Sequence, residues 1–327
     1  MKIDQNKKLI AILGPTASGK SNIAINLAKR FSGEIINVDS RSFYKNLDIG
    51  TAKPLKDKKI SKKYQWIKKF QKRGPIVSKN TIHWLIDIAK IKDPMTVAIF
   101  KPMADEVIDN IFERKKIPFL VGGSGLYARA VLEGFNIPKV VPDYQLRKKL
   151  EKLSTKKLTK KLKNLSPLAY KAIDLNNRRR LIRAIEVAKN QKKPSKKSYL
   201  PAGRPKKKIR VPYDVLKLAI KIDKEKLNDR INKRVFEMIK FGWLKEVKTL
   251  IKKQYDKTQV FQNTIGYPQL QKVIRGKSTM KEAILNIQLK TRQFAKRQNT
   301  WFKKEKGVVW VKNQKQAERE TEKFLKK

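Results

Sequence analysis

The sequence predicts an α/β protein: a parallel sheet core, a helical insertion and C-terminal helices. Three observations predict it. Short, wholly apolar runs recur in the first half, and glycine turns followed by helical spacing come after two of them. The stretch 136–200 changes character, with very high charge and leucines at helical intervals. The 327 residues are 40% hydrophobic, enough for one large core or two modest ones.

Residues 8–13 read as the first buried strand, closed by a glycine-rich turn. Residues 22–31, with Ile23, Ala24, Leu27 and Ala28 in register, read as a helix. A second strand is expected at 34–38, ending on Asp39-Ser40, then a polar turn through 48–54. A strand at 85–88, an amphipathic helix at 98–114 and a third apolar strand at 117–121 follow, the last closed by Gly122-Gly-Ser-Gly125. Leu146, Leu150, Leu153, Leu158, Leu162 and Leu165 mark 136–200 as helical. The strand pattern returns at 213–222, with helices near 224–254, 265–275 and 279–304 and a last short strand at 308–311. The expected organisation is a core of 1–135 with 201–327, and an insertion domain at 136–200. Residues 192–208, three prolines among lysines, read as a mobile loop.

The net charge is +53, with 63 Lys against 18 Arg. Such a balance favours a polyanionic partner, because a basic surface releases counterions from phosphates. A lysine-rich composition also produces plain solvated surface, so charge supports a nucleic-acid partner without establishing one. The absence of cysteine excludes disulfides, and with His83 the one histidine a Cys/His zinc site is excluded too. Any metal must be a hard ion on oxygen ligands. No stretch approaches a membrane span, and the first apolar run is too short for a signal segment, so a soluble cytoplasmic protein is expected.

Gly14, Pro15, Thr16, Ala17, Ser18, Gly19, Lys20 and Ser21 match GxxxxGK[ST] between a strand and a helix. Glycines let the backbone wrap an anion, amides at the helix start point inward, and Lys20 adds a point charge. Ser21 is the expected hydroxyl on the magnesium side. The pattern predicts a P-loop NTPase-like sheet and a phosphate or diphosphate site. No later strand ends in the acid that holds nucleotide magnesium in ATPases. The acid at a strand end facing the loop is Asp39, either a base acting on an acceptor or a magnesium or structural carboxylate. Arg230 and Arg234 are spaced i, i+4 and share a helix face, as do Arg179 and Arg183 opposite Leu181, Ile185 and Ala188. Within 279–302, Met280, Ile284, Ile287, Phe294 and Trp301 form a stripe, with Lys290, Arg292, Lys296 and Arg297 off it.

GPTASGKS at 14–21, NVDSRSFYKNLDIGTAKP at 37–54, HWLIDI at 83–88, VGGSGLYARAVLEG at 121–134, RRLIRAIEV at 179–187, RINKRVFEMIKFGWLKEV at 230–247, IGYPQL at 265–270 and TRQFAKRQNTWF at 291–302 resemble the tRNA dimethylallyltransferase family, in the family's order. The resemblance spans about 8–311. It implies that the loop holds the diphosphate of dimethylallyl diphosphate rather than ATP, with Mg²⁺ on Ser21 and with Lys20 and Arg234 on the charge of the leaving group. Thr16 resembles a substrate-contacting threonine. Asp39 would take the proton from N6 of adenosine 37, beside the anticodon. Asp39, Ser40, Arg41, Ser42, Ser124, Arg147, Arg179, Arg180, Leu181, Ile182, Arg183, Asn263, Thr264, Ile265, Gly266 and Tyr267 match positions that contact the tRNA anticodon stem-loop, and the family implies a monomer.

The sequence departs from the family at several places. Trp84 replaces the second histidine of a His-His pair, and Pro268 replaces a basic residue and is expected to shift a helix start. Residues 55–80 are longer and more basic than the family pattern. Ser124 and Ser21 stand where threonine is common. A small P-loop kinase, a prenyltransferase acting on free nucleotides, and a nucleic-acid-binding protein with a vestigial loop are the competing readings. The basic insertion and the missing second acid count against the first, and the insertion and the Arg179–Arg183 helix against the second. Intact Gly14, Gly19, Lys20, Ser21 and Asp39 count against the third.

Overall fold

The computed structural model describes residues 4–57, 72, 74–134, 140, 142–190 and 211–327. They fall into two compact units, Met1–Leu132 with Val211–Lys327, and Glu133–Arg210. The expected loop at 192–208 and most of the basic 55–80 stretch lie outside the described residues.

The larger unit is built on a seven-stranded sheet. Its strands are β1 (Asp4–Leu13), β2 (Gly33–Asn37), β3 (Ile76–Ser78), β4 (Thr81–Trp84), β5 (Ile117–Gly122), β6 (Tyr213–Ile220) and β7 (Val308–Val311), in the order β3-β4-β2-β5-β1-β6-β7. Every pairing is parallel except β3 with β4. Alternation along β1 feeds two cores, which is why the run reads as continuously apolar. Leu9, Ala11 and Leu13 face one cluster. It is completed by α2 (Val97–Glu113), α3 (Gly125–Leu132), α9 (Trp243–Lys252), α11 (Tyr267–Ile274) and α12 (Met280–Lys303). Ile10 and Ile12 face the other, covered by α1 (Lys20–Arg30) and α13 (Gln314–Lys326). Among the described residues the unit also holds α8 (Lys224–Lys240), a 3-10 turn at Tyr255–Lys257 and the single turn α10 (Gln259–Gln262).

Several expectations need correction. The strand expected at 85–88 is Thr81–Trp84, because Leu85 and Asp87 take left-handed backbone at φ 60 and 57. Leu85 and Ile86 are still buried, but in a turn whose Asp87 and Ala89 amides donate to Ser42 and Phe43 carbonyls. The expected helix 224–254 is two, broken where Gly242 takes φ 95. β3 and α13 have no counterpart in the sequence reading.

The departures at 84 and 268 have structural answers. The Trp84 indole N–H donates to Glu34 Oε2 at 2.8 Å, and Arg114 pairs with the same buried carboxylate. Its neighbour His83 is buried and held neutral, drawn down to about 4 by burial, with Nε2 unpartnered among the described residues. Pro268 sits in the first turn of α11, where its missing N–H costs nothing. Gly266 before it takes φ 100, and a Cβ there would lie 2.0 Å from the Trp243 ring.

The smaller unit holds α4 (Tyr144–Glu151), α5 (Thr155–Leu165), α6 (Pro167–Ala172) and α7 (Arg178–Asn190). Leu150, Leu158, Leu162, Leu181, Ile182, Ile185 and Val187 form its core, while Leu165 lies outside it.

Candidate active site

β1 and β5 end side by side, with Leu13 opposite Gly122, and β2 ends next to β5. The turns after these strands therefore meet at one sheet edge, where ligands of open α/β sheets bind. After β1 the chain enters the phosphate loop, with Ala17 at φ 61 and Gly19 at φ 91 leading into α1.

The loop's backbone is not all available to an anion. The Thr16 amide donates to Gln298 Oε1 at 2.9 Å, and the Ser18 amide to the Pro15 carbonyl. The amides of Ala17, Gly19, Lys20 and Ser21 find no acceptor among the described residues. These are amides within 14–21 that the free protein leaves open to an anion. The buried Ser18 Oγ has no partner either, as fits a socket meant for phosphate oxygens. Arg230 donates to the Ser18 carbonyl at 3.3 Å, so it braces the loop from outside.

Three charges converge here. Burial pulls the Lys20 ammonium down to about 8, with Asp39 opposing and Arg234 adding to the shift. Burial also lowers Arg234, against the attraction of Asp39 and Glu237. Two desolvated cations around one carboxylate leave an electropositive socket that an anion would relieve. Asp39 Oδ1 accepts the Arg41 amide at 3.0 Å, which fixes the carboxylate and leaves Oδ2 without a donor among the described residues. Asn37 bonds the Asp39 amide and carbonyl, locking the turn after β2.

Magnesium is expected on Ser21. Among the described residues no three His, Cys, Asp or Glu side chains gather as a ligand set. The exposed Ser21 hydroxyl at the helix start fits a hard ion that draws most ligands from a diphosphate and water.

The expected RNA contacts divide by exposure. The Ser40 amide donates to Ser124 Oγ at 3.1 Å, which joins the turns after β2 and β5. Arg41 reaches the carbonyl of exposed Asn263 at 3.3 Å, so two expected contact segments are neighbours. Ile265 is half-buried. The side chains of Ser42, Thr264, Tyr267, Leu181 and Ile182 are buried, and Gly266 is buried as well, so these six support the surface around them in the free protein. In the smaller unit, Arg147 and Arg183 both pair with the fully buried Glu186. Burial would raise that carboxyl, but hydrogen bonds from Arg147, Arg183 and the Asp143 amide outweigh it and hold it low. Arg179 and Arg180 are exposed and make no ion pair among the described residues.

Two groups escaped the sequence reading. Gln298 is buried in α12, in a block read only as an apolar stripe and a basic face. Glu246 of α9 accepts the amides of Asp48, Ile49 and Gly50 and the Tyr267 hydroxyl, docking the 48–54 turn against α9 and tying in α11. A polar residue inside a helical block that otherwise buries apolar ones was the available signal for each.

Fold and site together define a phosphate-loop α/β protein that sets an electropositive loop beside a fixed carboxylate. Residues 42–305 match the family model for IPP transferase. A tRNA dimethylallyltransferase of Acetivibrio thermocellus is 38% identical over 308 residues, covering 93% of this chain and 91% of that protein. One of Carboxydothermus hydrogenoformans is 37% identical across 98% of this chain and 97% of its own length. The crystal structure of a tRNA isopentenylpyrophosphate transferase of Bacillus halodurans matches with a TM-score of 0.66 and 33% identity, covering 98% of this chain and 97% of that one. A eukaryotic dimethylallyltransferase acting on tRNA matches with a TM-score of 0.70 at 26% identity, over 95% of this chain and 75% of that one. The chain belongs to the IPP transferase family.

Proposed function

We propose that this protein transfers the dimethylallyl group of dimethylallyl diphosphate to N6 of adenosine 37 in tRNA, releasing diphosphate. The observation that carries the reading is the convergence of Lys20, Arg234 and Asp39 on a phosphate loop in a chain of this family. The exocyclic amine is a weak nucleophile because its lone pair is delocalised into the ring, and an oriented carboxylate compensates. Asp39 takes the N6 proton as the N–C bond forms. The allylic C–O bond breaks, and its electron pair leaves on the diphosphate. Lys20, Arg234 and the free amides of Gly19, Lys20 and Ser21 stabilise that growing charge. Mg²⁺ on Ser21 would supply further electrostatic stabilisation of the leaving oxygens.

The adenine must leave the anticodon stack to reach this site. Exposed Arg179, Arg180 and Asn263, with partly exposed Arg41 and Ser40, are the groups offered to the anticodon stem-loop. We assign the protein to the cytoplasm and expect it to act as a monomer. The test is incubation with unmodified tRNA, Mg²⁺ and labelled dimethylallyl diphosphate, with and without ATP. ATP-independent label at the adenosine 3′ of the anticodon is the expected result. Transfer to free AMP instead, or consumption of ATP, overturns the reading.

A further inference from the structure

We propose that Gln298 is a positioning residue for this reaction: its carboxamide clamps the phosphate loop to the turn after β5, holding the leaving-group cradle and the base in one register. The inference rests on the prenyl-transfer reading of the site.

Gln298 is 6% exposed, in the last third of α12. Its Oε1 accepts the Thr16 amide at 2.9 Å, and its Nε2 donates to the Gly123 carbonyl at 2.9 Å. The amide orientation is forced, since one partner is a donor and the other an acceptor. The approach is close enough that a Cβ on Gly123 would lie 2.1 Å from Nε2, so that glycine is needed for the clamp. A covalent path continues from Gly123 to Ser124, whose Oγ accepts the Ser40 amide directly after Asp39. One side chain thus links the loop that holds the leaving group to the turn that carries the base.

A generic buried glutamine would stabilise the fold and nothing more. Here one bond goes to the phosphate loop and the other to the turn that is itself bonded to the base's turn, and the Thr16 amide is taken out of the anion set. Displacement at the allylic carbon needs nucleophile, carbon and leaving oxygen aligned, and a misplacement of about 1 Å can cost on the order of 100-fold in rate. The clamp therefore acts on the chemical step more than on the binding of either substrate.

The experiment compares wild type with Gln298→Met and Gln298→Glu in label transfer to tRNA. Diphosphate affinity by calorimetry and thermal midpoints are measured on the same proteins. Methionine keeps the length and apolar stem but makes neither bond. We expect kcat to fall roughly 10-fold to 100-fold, with KM for both substrates and diphosphate affinity within about threefold. Glutamate supplies the decisive signature. As a carboxylate it faces the Gly123 carbonyl with no proton; as a carboxylic acid it reproduces both bonds. The rate of Gln298→Glu relative to wild type should therefore rise as pH falls. A kcat for Gln298→Met within about twofold of wild type overturns the clamp. So does a loss that appears equally in diphosphate affinity, or a Gln298→Glu to wild-type ratio that is flat with pH. If wild type itself moves no label to tRNA, it is the prenyl-transfer reading that has failed.

Discussion

At the phosphate loop, burial draws the Lys20 ammonium down to about 8 against the pull of Asp39, with Arg234 pushing the same way as burial. A bound diphosphate supplies the counter-charge that the free site lacks and raises that value again. Binding then takes up a proton wherever the free lysine is deprotonated, at and above about pH 8. The Lys20 contribution to diphosphate affinity, read as the difference between wild type and Lys20→Met, should be level below that value and weaken above it, by up to about tenfold per pH unit. Calorimetry at pH 8.5 in two buffers of different ionisation heat reads the proton uptake directly; no uptake would remove Lys20 from the anion's first contacts. Asp39 makes a different prediction. Asp39→Asn keeps an oxygen for the Arg41 amide but cannot take a proton. We expect the chemical step to slow by on the order of 100-fold or more, with tRNA affinity little changed in filter binding. Equal losses in both would make Asp39 a scaffold.

Among the elements, α7 begins against its own electrostatics. Arg178, Arg179 and Arg180 fill its first turn, no acid accompanies them, and the positive end of the helix dipole lies there. Arg178 is held by the Glu151 and Leu153 carbonyls. Arg179 and Arg180 have no such use, and a locally unfavourable choice of this kind suits residues kept for an anionic partner. Replacing both with glutamate should weaken tRNA binding by about 1–3 kcal/mol per arginine while leaving the melting temperature unchanged or higher. Arg183→Ala should behave in the opposite sense. It strips one partner from buried Glu186, so a stability loss of about 2 kcal/mol is expected before any change in RNA affinity. Thermal melts beside filter binding separate the two cases. The sequence showed the i, i+4 spacing of 179 and 183 but not Glu186, whose position among apolar neighbours gave no hint that it binds two arginines.

Across the molecule, the elements carrying period-2 or period-3.6 apolar patterns were legible: the central strands, α1, α2, α8, α9, α11 and α12. What escaped had little apolar surface of its own. β3 is three residues long, and α13 buries only Ala317 and Thr321 fully, with Phe324 and Leu325 partly covered. The phosphate loop and Asp39 were readable because their chemistry is local in sequence. Gln298 was not, since its partners lie 282 and 175 residues away. His83 has a consequence for the molecule as a whole. It is the one imidazole in the chain, and the fold keeps it neutral down to about pH 4. The native protein therefore has no histidine to titrate between pH 5 and 7, and its large positive charge should hold nearly constant there. Acid acts on folding instead. The unfolded chain takes a proton near pH 6.5 that the native state refuses, so stability is full above that value and declines as pH falls toward 4. The loss should reach about 3 kcal/mol, read as a falling urea midpoint that His83→Leu makes less pH-dependent. A molecule of this composition works as a polycation of fixed strength, blind to mild acidification until the strand holding its only imidazole, second from the sheet edge, gives way.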